Sequence, residues 1–182
     1  MTTRELTSLD VSNNKGLIHL SCQLNKLKNL DVDKNTVLTR LYCYDNHLTY
    51  LDVSNNTALD WLRCERNQLT SLDVNNNTEL GWLYCDENQL ISLDVSANSE
   101  LIELACSKNQ LISLDVSNNI KLIHLICSYN QLSVSELNAL FGTLHKNNLW
   151  PGKEISISNN PGTAACDKSI ATEKRWYVAT TY

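Results

Sequence analysis

Glycine and proline are scarce in this sequence, with five glycines and two prolines in 182 residues. That scarcity removes the usual makers of tight turns, and no glycine-rich loop is present to cradle a phosphate. The formal net charge of -5 is spread along the chain without a basic run, which argues against nucleic acid and against an anionic membrane surface. No apolar stretch approaches the roughly 20 residues needed to span a bilayer, so membrane insertion is not expected. The opening Met1-Thr-Thr-Arg carries no apolar signal-peptide core. A hydrophobic content of 42% with 19% charged residues is otherwise ordinary for a chain that buries a core.

What the sequence has instead is repetition. From Leu6 to Gln131 a 21-residue unit recurs six times without a break in phase, starting at Leu6, Leu27, Leu48, Leu69, Leu90 and Leu111. Each unit joins eleven residues of pattern LxxLDVxxNxx to ten of pattern LxxLxCxxNx. Residues 1–5 form a polar lead without an amphipathic N-terminal cap, so the array is expected to have been excised from a longer protein.

The alternation of apolar, variable and apolar residues in each half predicts a short strand with two side chains inward and one outward. Such a unit cannot bury its own leucines. Stacked units would do so, giving a solenoid of two short parallel sheets about 29 Å long for six coils at the ordinary strand spacing. Asparagine closes both halves, at Asn14 and its equivalents and at Asn25 and its equivalents, where its side chain can satisfy backbone groups left unpaired at a corner.

Six of the seven cysteines, Cys22, Cys43, Cys64, Cys85, Cys106 and Cys127, occupy one position of the repeat. Disulfide frameworks and zinc sites need clustered cysteines, so this column reads as buried free thiols, with Cys166 of the same kind beyond it. The outward aspartates Asp10, Asp31, Asp52, Asp73, Asp94 and Asp115 would repel one another by roughly 0.8 kcal/mol per neighbouring pair even in water. Hydrogen bonds to Ser, Thr or backbone N–H groups of adjoining coils are the expected remedy and calcium the alternative, although a ladder lacks a calcium site's clustered oxygens.

The Leu, Cys and Asn positions of Leu59 to Leu69 resemble the leucine-rich repeat pattern LxxLxLxxNxL with cysteine in the third apolar place. The nested eleven and ten with LDV is similar to the bacterial 21-residue class called IRREKO. This resemblance covers residues 6–131. It implies a right-handed solenoid whose Cys-half strands line a concave sheet, and a secreted or cell-surface bacterial protein that binds rather than catalyses.

After Leu132 the pattern changes. Ser133-Val134-Ser135-Glu136 carries a capping box, and Leu137, Leu140, Phe141 and Leu144 recur at helical spacing, predicting a helix that ends near Lys146. A turn is expected at Leu149-Trp150-Pro151-Gly152. Ile155 to Asn160 aligns with Leu9 to Asn14, predicting a degenerate seventh Asp-half strand with the helix inserted in its coil. A second short helix within Ala164 to Lys174 and a last strand at Trp176-Tyr177-Val178 complete a C-terminal cap over residues 132–182.

Where every coil has the same surroundings, repeated residues are scaffold and varying ones are free to serve function. The outward positions of the Asp half barely vary, while those of the Cys half do. Tyr42, Trp61, Trp82 and Tyr84 therefore project from adjacent coils, with Tyr44 just beyond, Arg40 and Arg63 among them, and Asp60, Glu65, Asp86 and Glu87 at the border. Aromatic and arginine anchors inside a polar rim make a binding surface for a protein or peptide. A glycan suits the same rings, and a structural spacer or a polysaccharide-degrading solenoid are further readings. No catalytic set is expected: the carboxylates share one environment, the cysteines face inward, and His19, His47, His124 and His145 are scattered as ordinary surface residues. Neither metal nor cofactor is called for.

Overall fold

In the computed structural model, which describes residues 5–148 and 152–181, one parallel sheet runs the length of the molecule. Its strands are β1 (His19–Ser21), β2 (Arg40–Tyr42), β3 (Trp61–Arg63), β4 (Trp82–Tyr84), β5 (Glu103–Ala105), β6 (His124–Ile126), β7 (Lys153–Ser156) and β8 (Trp176–Ala179), in that spatial order. The strand leucines pair coil to coil, Leu20 with Leu41, then Leu62, Leu83, Leu104 and Leu125. All point inward, and those from Leu41 onward are fully buried. Their flanking residues face out, which produces the variable face inferred from the repeat.

The Asp halves do not form the expected second sheet among the described residues. The cause is competition for backbone N–H groups. Each Asp accepts from the N–H two residues on, as Asp10 Oδ1 does from Ser12 at 2.9 Å, and the next donors close turns, Asn14 to Val11 O and Leu17 to Asn14 O, both at 2.9 Å. Donors used within the coil cannot bridge to the next one. The coils are joined on this side by asparagine side chains: Asn35 Nδ2 donates to Val11 O at 3.1 Å and Asn14 O at 2.9 Å, and Asn56, Asn77, Asn98 and Asn119 repeat the pattern. The aspartate ladder is thus relieved within each coil, rather than by adjoining coils as the sequence reading expected.

A second asparagine ladder closes the Cys halves. Asn88 Nδ2 donates to Cys85 O in its own coil and to Cys64 O in the preceding one, each at 3.1 Å, while its Oδ1 accepts from Leu69 N at 3.0 Å. The residue before each such asparagine is left-handed, from Leu24 (φ 58) through Arg66 (φ 52) to Asn159 (φ 58), so non-glycine residues make a turn that glycine ordinarily serves. All seven cysteines are free and buried. Cys43, Cys64 and Cys85 each direct Sγ to a carbonyl of the following strand at 3.5 Å, as Cys127 does at 3.4 Å.

The C-terminal end departs from the sequence reading in phase. Helix α1 (Val134–Thr143) is capped by Ser133 Oγ, which accepts from Glu136 N at 3.2 Å, and it buries Leu137, Leu140 and Phe141. It stops short of Lys146 and stands where an Asp half would otherwise follow Leu132. Strand β7 then joins β6 with Leu125 opposite Ile155. Ile155, Ile157 and Asn160 are therefore Cys-half residues, not a seventh Asp-half strand, and Asn160 Nδ2 donates to Cys127 O at 3.0 Å as a ladder asparagine does. Both halves share the spacing of two apolar residues and an asparagine, so alignment by residue type could not separate them.

Helix α2 (Ser169–Thr172) and β8 complete the end. Trp176 is buried with Nε1 donating to His145 O at 3.0 Å. Lys153, also buried, donates to the carbonyls of His145, Asn147 and Lys174, and its removal from water lowers its pKa. Gly162 permits the close approach of β7's exit to α1, since a Cβ there would come within 2.5 Å of the Ser133 backbone. The turn predicted at Leu149-Trp150-Pro151-Gly152 lies, but for Gly152, outside the described residues.

Candidate ligand-binding face

The outward side chains of β2, β3 and β4 form one aromatic surface. Register places Arg40 beside Trp61, Trp61 beside Trp82, and Tyr42, Arg63 and Tyr84 in the parallel row. Trp61 stacks on Trp82 with ring centroids 5.0 Å apart and planes inclined by 21°, and Tyr84 continues the stack at 6.3 Å and 20° from Trp61. Tyr42 meets Trp61 edge-on at 6.1 Å. His19 in turn meets Tyr42 edge-on at 4.8 Å, so it extends the surface by a coil, although sequence reasoning set it aside as an ordinary surface side chain.

Arg63 ties the second row together. Its guanidinium lies 4.4 Å from the centre of the Tyr44 ring and 5.4 Å from that of Tyr84, and Nε donates to Glu65 Oε1 at 2.9 Å. Glu65 is buried, which makes this pair more than a surface contact. Six of the seven proposed contact residues are thereby held by one another; Arg40 stands exposed at the margin. The indole N–H of Trp61 is enclosed without an acceptor, an unmet donor at the centre of the stack.

Next to this surface the side chains shrink. Where β2 to β4 carry Tyr42, Arg63 and Tyr84, β5 and β6 carry Ala105 and Ile126, and a groove of about 580 Å³ opens across these coils. Its wall is the column that follows the ladder cysteines: Glu65, Asp86, Ser107 and Ser128. Asp86 is half-buried, accepts from Ser107 N at 2.8 Å, and is pushed up to about 6, chiefly by burial. Glu87 is held below its ordinary value by Lys108, 2.9 Å away, and by Arg66. Sequence reasoning had Glu65 and Asp86 as a rim and passed over the serines; the fall in side-chain bulk from Tyr84 to Ala105 was the available signal.

His145 and the ladder aspartates serve the scaffold. His145 packs edge-on against Trp176 at 5.5 Å with Nε2 2.7 Å from Leu122 O, a structural role rather than the surface one expected of it. The exposed Asp10, Asp52 and Asp94 are held below their ordinary values by hydrogen bonds from the serines two residues on. Among the described residues no three His, Cys, Asp or Glu side chains are placed to share a metal ion, and no helix is long and apolar enough to cross a membrane.

No protein-family model matches the chain, nor does any curated protein. Solved structures do. InlJ from Listeria monocytogenes, a functional domain that includes a cysteine ladder, superposes with a TM-score of 0.65 and 37% identity over 93% of this chain and 40% of its own. An internalin, inlF, of the same organism aligns over 94% of this chain and 50% of its own with a TM-score of 0.77 and 22% identity. A leucine-rich repeat protein of Leptospira interrogans aligns over 96% and 58% with a TM-score of 0.62 and 18% identity. The fold is a leucine-rich repeat solenoid. InlJ is described as having a cysteine ladder, this leucine-rich repeat chain has a column of buried thiols of its own, and the likeness supports a bacterial origin. The chain spans 40% to 58% of the length of these three proteins.

Proposed function

We propose that this chain is a non-enzymatic, protein- or peptide-binding module of the 21-residue bacterial leucine-rich repeat class, part of a secreted or cell-surface protein, and that its ligand docks on the outer face of β2 to β4. The carrying observation is the stack of Trp61, Trp82 and Tyr84, met edge-on by Tyr42 and flanked by the Arg63 guanidinium over Tyr84. Rings held by their neighbours present broad contact area with little rotamer freedom left to lose on binding.

A glycan is the second reading, favoured by the same rings beside Glu65 and Asp86, since sugars use aromatic platforms with polar neighbours. The test is a protein pull-down run in parallel with a glycan panel, each comparing the native chain with Trp61→Ala/Trp82→Ala. A protein captured by the native chain and lost by the variant supports the proposal. Glycan capture with the same dependence replaces it by the second reading, and ligand binding indifferent to both tryptophans removes this face as the site. Release of reducing sugar from a bound polysaccharide would overturn the non-enzymatic reading.

A further inference from the structure

The groove beside the aromatic stack holds a carboxylate that the protein leaves uncompensated. Arg63 is paired with Glu65, Arg66 with Asp45 and Glu87, and Lys108 with Glu87, whereas Asp86 has no cationic partner among the described residues. Three further acceptors on the same wall are unmet: Glu65 Oε2, Ser107 Oγ and Ser128 Oγ have no hydrogen-bond partner, and their residues are 7%, 8% and 0% exposed. Buried polar atoms are ordinarily satisfied, so an unpaired negative charge flanked by unmet groups on both neighbouring coils describes a place for a cation with several donors.

We propose that this groove receives a lysine side chain of the partner, its ammonium at Asp86 between Glu65 and the Ser107 hydroxyl on the two neighbouring coils, and its methylene stem along Ala105, Ile126 and the Tyr84 ring. The ammonium fits better than a guanidinium for a geometric reason. Arg63 occupies Glu65 Oε1 and the Ser107 N–H occupies Asp86 Oδ1, so neither carboxylate offers two free oxygens to a planar fork. An ammonium has three donors and can serve single acceptors on successive coils. The apolar floor suits its stem, as Ala105 is nearly enclosed and Ile126 partly so. This pocket deepens the binding reading and rests on it only for the partner being a protein.

Binding should then follow the charge on Asp86. Glu65 and Glu87 beside it discourage ionisation, the paired Arg63, Arg66 and Lys108 lie around it, and the Tyr84 and Tyr129 hydroxyls also line the groove, burial raising the Tyr84 pKa above its ordinary value. Asp86 loses its charge as pH falls through about 6.

The probe is Nα-acetyl-lysine methylamide, titrated into the 15N-labelled chain with the norleucine analogue as apolar control. Saturable shifts of the Ser107 and Ser128 amides are expected at pH 7.5, at least fivefold weaker affinity at pH 5, and loss of saturation in Asp86→Asn and in Glu65→Gln. Each variant is first matched to the native circular dichroism spectrum. Equal shifts with norleucine, undiminished affinity at pH 5, persistence of binding in folded Asp86→Asn, or no saturable shift at either amide overturns the proposal. These outcomes are separate from the tryptophan test: a groove blind to lysine leaves ligand capture through Trp61 and Trp82 standing, and the reverse result removes the stack while keeping the groove.

Discussion

Trp61 and Trp82 lie on adjacent coils with their ring centroids 5.0 Å apart and their planes 21° from parallel. Two indoles held this closely couple their electronic transitions, so the native chain should show an exciton couplet in the far-ultraviolet circular dichroism spectrum. Trp82→Phe should abolish the couplet while lowering stability by no more than about 1.5 kcal/mol, the upper range for an aromatic pair beyond its buried area. An unchanged spectrum in that variant would show that the rings are not stacked in solution.

The two asparagine ladders differ in what each side chain satisfies, and their variants should differ accordingly. Asn88 serves two cysteine carbonyls and the Leu69 N–H, whereas Asn77 donates to Val53 O and Asn56 O while its own Oδ1 has no partner. Asn88→Ala orphans a buried donor as well as acceptors, at about 1–3 kcal/mol for each group stranded. Chemical denaturation should therefore show Asn88→Ala losing about 3 kcal/mol or more, and Asn77→Ala losing less. Equal losses would refute the assignment of the Leu69 bond as the distinguishing contribution.

The thiol column should be chemically silent while the coil is intact. Burial pushes the Cys22 thiol up to about 11 and the Cys127 thiol up to about 12, and raises Cys43, Cys85 and Cys106 well above the ordinary value. Little reactive thiolate exists at pH 8, and what exists is enclosed. Iodoacetamide followed by peptide mass spectrometry should leave Cys43 through Cys127 unlabelled until denaturant reaches the unfolding transition. Alkylation of Cys85 in the native chain would contradict the structure.

Asp86 carries the clearest pH signature. Its folded value of about 6 lies above the ordinary 3.8, so the folded state binds the proton more tightly than the unfolded chain does. The stability contributed by that proton is full below pH 4 and is lost as pH rises through 6. Asp86→Asn removes the charge and keeps an acceptor for Ser107 N, so it should raise stability by about 1–2 kcal/mol at pH 7.5 and leave it nearly unchanged at pH 4. Thermal melts at the two pH values measure this, and a variant less stable at pH 7.5 would show that Asp86 is compensated in the native chain. A gain would also mark Asp86 as a residue kept at a cost to stability, as ligand-binding groups commonly are.

Legibility followed chemistry. The inward leucines and cysteines and the outward Tyr42, Trp61, Trp82 and Tyr84 could be assigned from the repeat because alternation fixes which face a side chain takes. The stack geometry, the clamp of Arg63 over Tyr44, and the recruitment of His19 could not, since they depend on rotamers chosen between coils. The groove was hidden for a related reason: it is made by what Ala105 and Ile126 lack, and it shows only against the bulk of the neighbouring coils. Glu65 and Asp86 were visible as acids, but their burial was not.

The sequence by itself determined the period, the core and the face that varies, because those follow from the spacing of residue types along one chain. Only the tertiary structure decided where the backbone hydrogen bonds go. Leu9-Asp10-Val11 and Leu20-Ser21-Cys22 share one pattern, yet the Asp10 carboxylate draws a neighbouring N–H into a turn while Ser21 leaves its strand free to pair with β2. Likewise Ile155 to Asn160 fits either half by composition and joins the sheet because α1 already occupies the other side of the coil. Pattern specifies which side chains are inward; the partner of each N–H depends on which acceptor the assembled coil brings nearest.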